Sequence, residues 1–210
     1  MFDRVQPFEL KYIQKASPKE GDAFDFSLIY KFYTDKTEEY QRLKYIIRAE
    51  SYDDVFAIKF YAARDRKLDN KYNRIIKVHG YKGAMGIFIT CASVIPMIIK
   101  KYPNASFAVN GAESMDMESD KVEGRVNNQR FRIYKNIALN LFGRKMFEHI
   151  EYKNVSSYIL VNRKSCQDVQ EKAECIKEMF FLDISLISQC IFVQPGQTFI
   201  TNNLRIYLIC

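Results

Sequence analysis

Period-two alternation runs through the first third of this chain, and it commits that third to strands. Phe8, Leu10 and Tyr12 alternate with polar neighbours, and Phe26, Leu28, Tyr30 and Phe32 do so again after the turn-forming run Ser17-Pro18-Lys19-Glu20-Gly21-Asp22. Leu43, Tyr45, Ile47 and Ala49 continue the pattern, and Ser51-Tyr52-Asp53-Asp54 turns the chain into Phe56, Ile58, Phe60 and Ala62. Residues two apart share one face of a strand, and short links join antiparallel neighbours. A meander of up to four antiparallel strands is expected. Arg64 to Asn73 is polar and charged and reads as a connection.

The character then changes. Gly80-Tyr81-Lys82-Gly83-Ala84-Met85-Gly86 holds three of the eight glycines and runs into the apolar stretch Ile87 to Lys101, which is long enough for a helix. Pro96 is expected to kink that helix or to restart it. Tyr102-Pro103-Asn104 ends it, Ser106-Phe107-Ala108-Val109 suits a buried strand, and residues 112–124 are acidic, methionine-bearing and loop-like. Over 127–142 the spacing predicts the clearest helix, with Phe131, Tyr134, Ala138, Leu141 and Phe142 on its apolar face and Arg132, Asn136 and Asn140 opposite. Gly143 closes it. A hairpin follows over Phe147–Tyr152 and Ser157–Val161, then a helix marked by Val169, Ala173, Ile176, Met179 and Phe180. A last hairpin is expected around Gln194-Pro195-Gly196-Gln197.

The expected fold is a single α+β domain over 1–210, with a mixed, mainly antiparallel sheet: the meander, then strand, helix, strand, helix and hairpin, with packed helices. Residues 1–24 form an N-terminal strand and turn, 25–162 the core, and 163–210 a C-terminal helix and hairpin. A chain of 210 residues with 48% apolar composition suffices for one core.

Charge is unevenly spread. Residues 121–165 hold ten bases and three acids, an excess equal to the net charge of +7 of the whole chain. Such a stripe is the footprint expected for phosphate, in a nucleic acid or in a nucleotide-containing cofactor, or for an acidic protein; it is also what a solvated basic face looks like. Arg125, Arg130, Arg132 and Lys135 stand beside Phe131 and Tyr134, residue types that combine phosphate contact with base stacking.

Five cysteines, odd in number and without a CxxC pair, and only two histidines argue against a four-ligand zinc site, so no metal is expected. Unpaired thiols fit a reducing cytoplasm. Met1-Phe2-Asp3-Arg4 does not open a basic, then apolar leader, and no run approaches the roughly 18 apolar residues of a membrane span. A cytoplasmic protein away from membranes is the expectation. The apolar end Leu208-Ile209-Cys210 is either buried or a homodimer surface.

The order of elements resembles the Gcn5-related N-acetyltransferase (GNAT-like) family over roughly residues 25–162. In that family the loop after the fourth strand and the next helix N-terminus hold the pyrophosphate of acetyl-CoA. The resemblance implies Lys82, Gly83, Ala84 and Gly86 as that cradle; the same glycines equally suit close packing of a helix on the sheet. The family also carries Asn, a small residue three later and Tyr four beyond. Here Asn127, Arg130 and Tyr134 stand at those places, with Arg130 in place of the small residue, and the resemblance implies Asn127 as a further cofactor contact. The resemblance implies Tyr134 as general acid to the departing thiolate, although its apolar face also suits a core tyrosine. His149, with Glu148 or Glu151 beside it, is the expected base, and His79 a phosphate contact.

Two classes of function remain. One is a GNAT-like domain, either an N-acyltransferase moving an acetyl group to an amine or a non-catalytic, degenerate binding or interaction protein. The other is a nucleic-acid-binding module acting through 121–165.

Overall fold

The computed structural model describes residues 5–36, 38, 41–74, 80–115 and 121–190, the last ten by backbone only. Seven strands form one sheet: β1 (Lys11–Ala16), β2 (Phe26–Tyr33), β3 (Lys44–Tyr52), β4 (Val55–Ala62), β5 (Ser106–Asn110), β6 (Phe147–Tyr152) and β7 (Ser157–Asn162). Their spatial order is β1-β2-β3-β4-β5-β7-β6. Every neighbouring pair is antiparallel except β4 and β5, which are parallel. Parallel neighbours need a crossover. It is supplied by α1 (Gly80–Ala92) and α2 (Val94–Lys101); α3 (Gln129–Leu141) precedes β6 and α4 (Val169–Cys190) follows β7. The α+β class and the mixed, mostly antiparallel sheet are those expected. The expected hairpin around Gln194–Gln197, the apolar end at Cys210, and His79 lie outside the described residues.

Strand alternation sorts the side chains between two cores. All six residues of β7 are buried; Tyr158 and Leu160 join Phe88, Ile95, Phe131 and Ile137, whereas Ile159 and Val161 join Ala173 and Ile176. Helices α1 to α3 therefore cover one face of the sheet and α4 the other. Each fully buried Phe or Ile contributes about 1.5–3 kcal/mol.

Local expectations are corrected in β1, in α1 with α2, and in α3. β1 begins at Lys11 and is largely exposed, with a bulge between Tyr12 and Gln14; Phe8 and Leu10 precede it and pack on the core. An edge strand has one neighbour, so a ring just before it finds its burial elsewhere: Phe8 stacks on Phe32 at 5.7 Å.

Helix α1 begins at Gly80, so the expected glycine loop is the helix's first two turns. A Cβ on Gly86 would sit 3.0 Å from the Phe8 ring, so this glycine admits the N-terminal segment against the helix. The helical break falls at Ser93 and not at Pro96. Pro96 is the third residue of α2, within the first turn, where a missing N–H is tolerated. Taken together, Gly80–Lys101 contains an 18-residue stretch with a mean hydropathy of 1.8 and is long and apolar enough to cross a membrane, contrary to the expectation that no such run exists. Just over half of that stretch, 56%, is buried inside the fold, as in a core helix.

On α3, Leu141 was expected in the core and is 51% exposed; Ile137 and Arg130 are buried instead.

Candidate functional site

The parallel pair β4–β5 is short. It consists of Val55 opposite Ser106, Phe56 opposite Phe107 and Ala57 opposite Ala108. Beyond that point β4 stays with β3 as far as Ala62, and β5 stays with β7 as far as Asn110. The two strands part, and a cleft of about 190 Å³ opens between them, lined among others by Lys59, Phe60, Asn110, Arg125, Arg130 and Tyr134. Backbone groups facing the gap have lost their strand partner, and such groups must find water or a ligand. Ligands of sheets with parallel strands lie at the carboxyl ends of those strands, which is where this cleft sits.

The α3 wall of the cleft is positioned by its cap. Asn128, 1% exposed, accepts from Phe131 N–H through Oδ1 at 2.9 Å and donates to the Gly111 carbonyl through Nδ2. Its own N–H donates to Ser156 Oγ at 2.9 Å, while the Ser156 hydroxyl donates to the Arg125 carbonyl. Asn127, expected to bind the cofactor, instead takes a left-handed turn at φ 50° and sets Asn128 at the helix start. The residue order does carry a signal for Asn128, since Asn directly before the first helical residue is a favoured cap.

Arg130 is buried, and its guanidinium donates to the carbonyls of Tyr72 and Arg74. It thereby ties the connection after β4 to α3. Burial lowers its pKa, with Tyr134 and Glu123 opposing. Tyr134 meets Phe88 edge to face at 5.3 Å and borders both the cleft and a smaller apolar cavity of about 40 Å³. Among the described residues no hydrogen bond reaches its hydroxyl. Burial pushes the phenol well above its ordinary pKa, Arg130 opposing, so it stays protonated.

Lys59 carries no mark of a site in the residue pattern. It lines the cleft and pairs with buried Glu50 at 2.7 Å; Arg48 approaches the same carboxylate at 3.4 Å. A lysine inside an alternating strand reads as solvent-facing, which is why the pattern missed it.

The remaining expected residues lie elsewhere. Lys82, Gly83, Ala84 and Gly86 belong to α1; Lys82 is exposed and Gly86 buried. Ala84 and Gly86 lie beyond the first turn, where backbone amides enter the helical ladder, so they do not form a phosphate nest. Arg132, exposed, donates to the Asn127 carbonyl, and Lys135 pairs with Glu151 at 2.8 Å. The four basic residues therefore do not form one free face: Arg130 points inward and Lys135 is matched.

His149 and Glu148 are on β6, separated from β5 by β7. His149 Nδ1 accepts from Tyr158 Oη at 2.7 Å, and Nε2 donates to the Phe142 carbonyl at 3.1 Å. Both ring nitrogens are used, Nδ1 on the neighbouring strand β7 and Nε2 on the end of α3, and burial lowers the imidazole pKa. Glu148 pairs with Arg163. Neither lines the cleft.

Among the described residues no group of three His, Cys, Asp or Glu side chains is placed to hold a metal. No family model, curated protein or solved structure matches this chain.

Proposed function

We propose that this chain is a non-catalytic, degenerate GNAT-like binding protein whose ligand, with acetyl-CoA as the first candidate, lies in the cleft between β4 and β5. The observation that carries this reading is the parting of the two parallel strands after Ala57 and Ala108. An extended chain bearing amides can pair with both bared edges, and the pantetheine arm of CoA has that chemistry. Of Tyr134, His149, Glu148 and Glu151, the residues expected to move protons, only Tyr134 borders the cleft; the others are on β6 and are committed to Tyr158, the Phe142 carbonyl, Arg163 and Lys135. A binding role needs no base.

Tyr134 favours a second reading, an acyl-CoA-dependent N-acyltransferase. Its residue lines the cleft, and its protonated hydroxyl, free of hydrogen bonds among the described residues, would be the acid to a departing thiolate.

Thermal-shift titration with acetyl-CoA, and with desulfo-CoA as the unreactive control, tests both. A ligand at a hundred times its Kd raises the melting temperature by about 5–10 °C for a chain of this size. A saturable shift without thiol release in the presence of amines supports the binding protein, and thiol release supports the transferase. No shift at millimolar acetyl-CoA sinks both.

A further inference from the structure

Buried cations are normally paired with an anion. Among the described residues, three cations, Lys59, Arg125 and Arg130, line the cleft against one carboxylate, Glu113. Lys59 is neutralised by Glu50. Arg130 is only 6% exposed, yet among the described residues it has no ion-pair partner; its two hydrogen bonds go to carbonyls, which satisfy N–H groups without balancing charge. Glu123 acts on Arg130 only at longer range: its Oε1 accepts from Gln129 N–H at 2.6 Å, its Oε2 is buried without a hydrogen-bond partner among the described residues, and it makes no ion pair with the guanidinium. Asp65 holds Arg74 at 3.4 Å and Arg64 at 3.9 Å. Arg125 is half-buried at the cleft and is likewise without an ion pair among the described residues; its backbone is held by Ser156.

We propose that Arg125 and Arg130 form an oxyanion site on the α3 wall of the cleft, which receives a carboxylate or phosphate of the bound ligand. For its location this rests on the cleft reading above. A guanidinium offers planar N–H pairs that match such an oxyanion, and Arg130 has three N–H groups left after its two carbonyl bonds. The walls contributed by Ala57, Val109 and Ala112 keep the local dielectric low, which strengthens the attraction.

The test is an NMR titration of the ¹⁵N-labelled full chain, following the arginine Nε–H signals while inorganic phosphate is added at constant ionic strength, with chloride as the control. Saturable shifts confined to Arg125 and Arg130 are expected, with affinity falling about tenfold in Arg125→Gln. The amide spectrum of that variant checks that it is folded. Shifts that chloride reproduces, or that persist unchanged in Arg125→Gln, overturn the proposal.

S-acetylpantetheine, a neutral thioester with the amide chain and no phosphate, separates the two readings. If it binds and phosphate does not, the oxyanion site is refuted while the cleft reading stands. If phosphate binds and S-acetylpantetheine does not, the oxyanion site stands without the CoA reading. Where phosphate binds, its expulsion by acetyl-CoA assigns the oxyanion to the cofactor's own phosphates, and joint binding assigns it to a second ligand.

Discussion

Gly111 and Asn128 share one contact that joins the end of β5 to the start of α3. The Asn128 amide donates to the Gly111 carbonyl, and a Cβ on residue 111 would overlap Asn128 Oδ1 and come within 2.8 Å of the Phe131 nitrogen. The cleft wall that carries Arg125, Arg130 and Tyr134 hangs on this joint.

Gly111→Ala should therefore destabilise the fold by about 1–3 kcal/mol, the usual cost of overpacking a buried contact. Asn128→Ala should cost about 1–2 kcal/mol through the lost cap. Because both changes break one joint, the double variant should cost less than the sum of the two. Urea denaturation of the three variants measures this; strict additivity would show that the residues act independently.

Arg130 and Arg132 stand two residues apart on α3 and should behave differently. Arg130→Met leaves the carbonyls of Tyr72 and Arg74 without their charged donor, at about 2–3 kcal/mol. Arg132→Ala, at an exposed position, should stay within about 0.5 kcal/mol. Equal effects in denaturant melts would contradict the inward placement of Arg130.

Tyr134→Phe removes a hydroxyl that has no hydrogen bond among the described residues, so stability should change by less than about 0.5 kcal/mol. If the chain is a transferase, turnover should fall while acetyl-CoA affinity stays nearly intact. Unchanged turnover would remove Tyr134 from the chemistry.

Burial lowers the His149 pKa below the value of about 6.5 that it has in an unfolded chain. Below pH 6.5 the unfolded state binds more protons than the folded one, so the stability contributed by neutral His149 is complete above that pH and declines as pH falls through the folded pKa. His149→Gln should flatten this part of the stability profile. A profile between pH 7 and pH 5 that is identical in both proteins would show that His149 does not titrate in this way.

Period-two alternation in Phe26–Phe32, Tyr45–Ala49 and Phe56–Ala62 was enough to place β2, β3 and β4, because a half-buried strand writes its buried face directly into the residue order. The β6–β7 hairpin and the α3 face built on Phe131 and Ala138 were legible for the same reason. The limits of α1 were not. Glycine marks a loop or a close approach alike, and only the position of Phe8 over Gly86 decides between them.

The site divides along the same line. Residue types and spacing brought Tyr134, Arg125 and Arg130 into consideration; pairing in three dimensions decided what each does. The carbonyls of Tyr72 and Arg74 turn Arg130 inward, Glu151 neutralises Lys135, and Tyr158 with the Phe142 carbonyl occupies both nitrogens of His149. Sequence by itself determined the α+β class, the meander and the amphipathic faces, since these depend on the chain's local period. Tertiary structure alone decided where β4 and β5 part and which charges remain unmatched there among the described residues. That outcome follows from strand neighbours and hydrogen-bond partners far apart in the chain, and no local pattern encodes them.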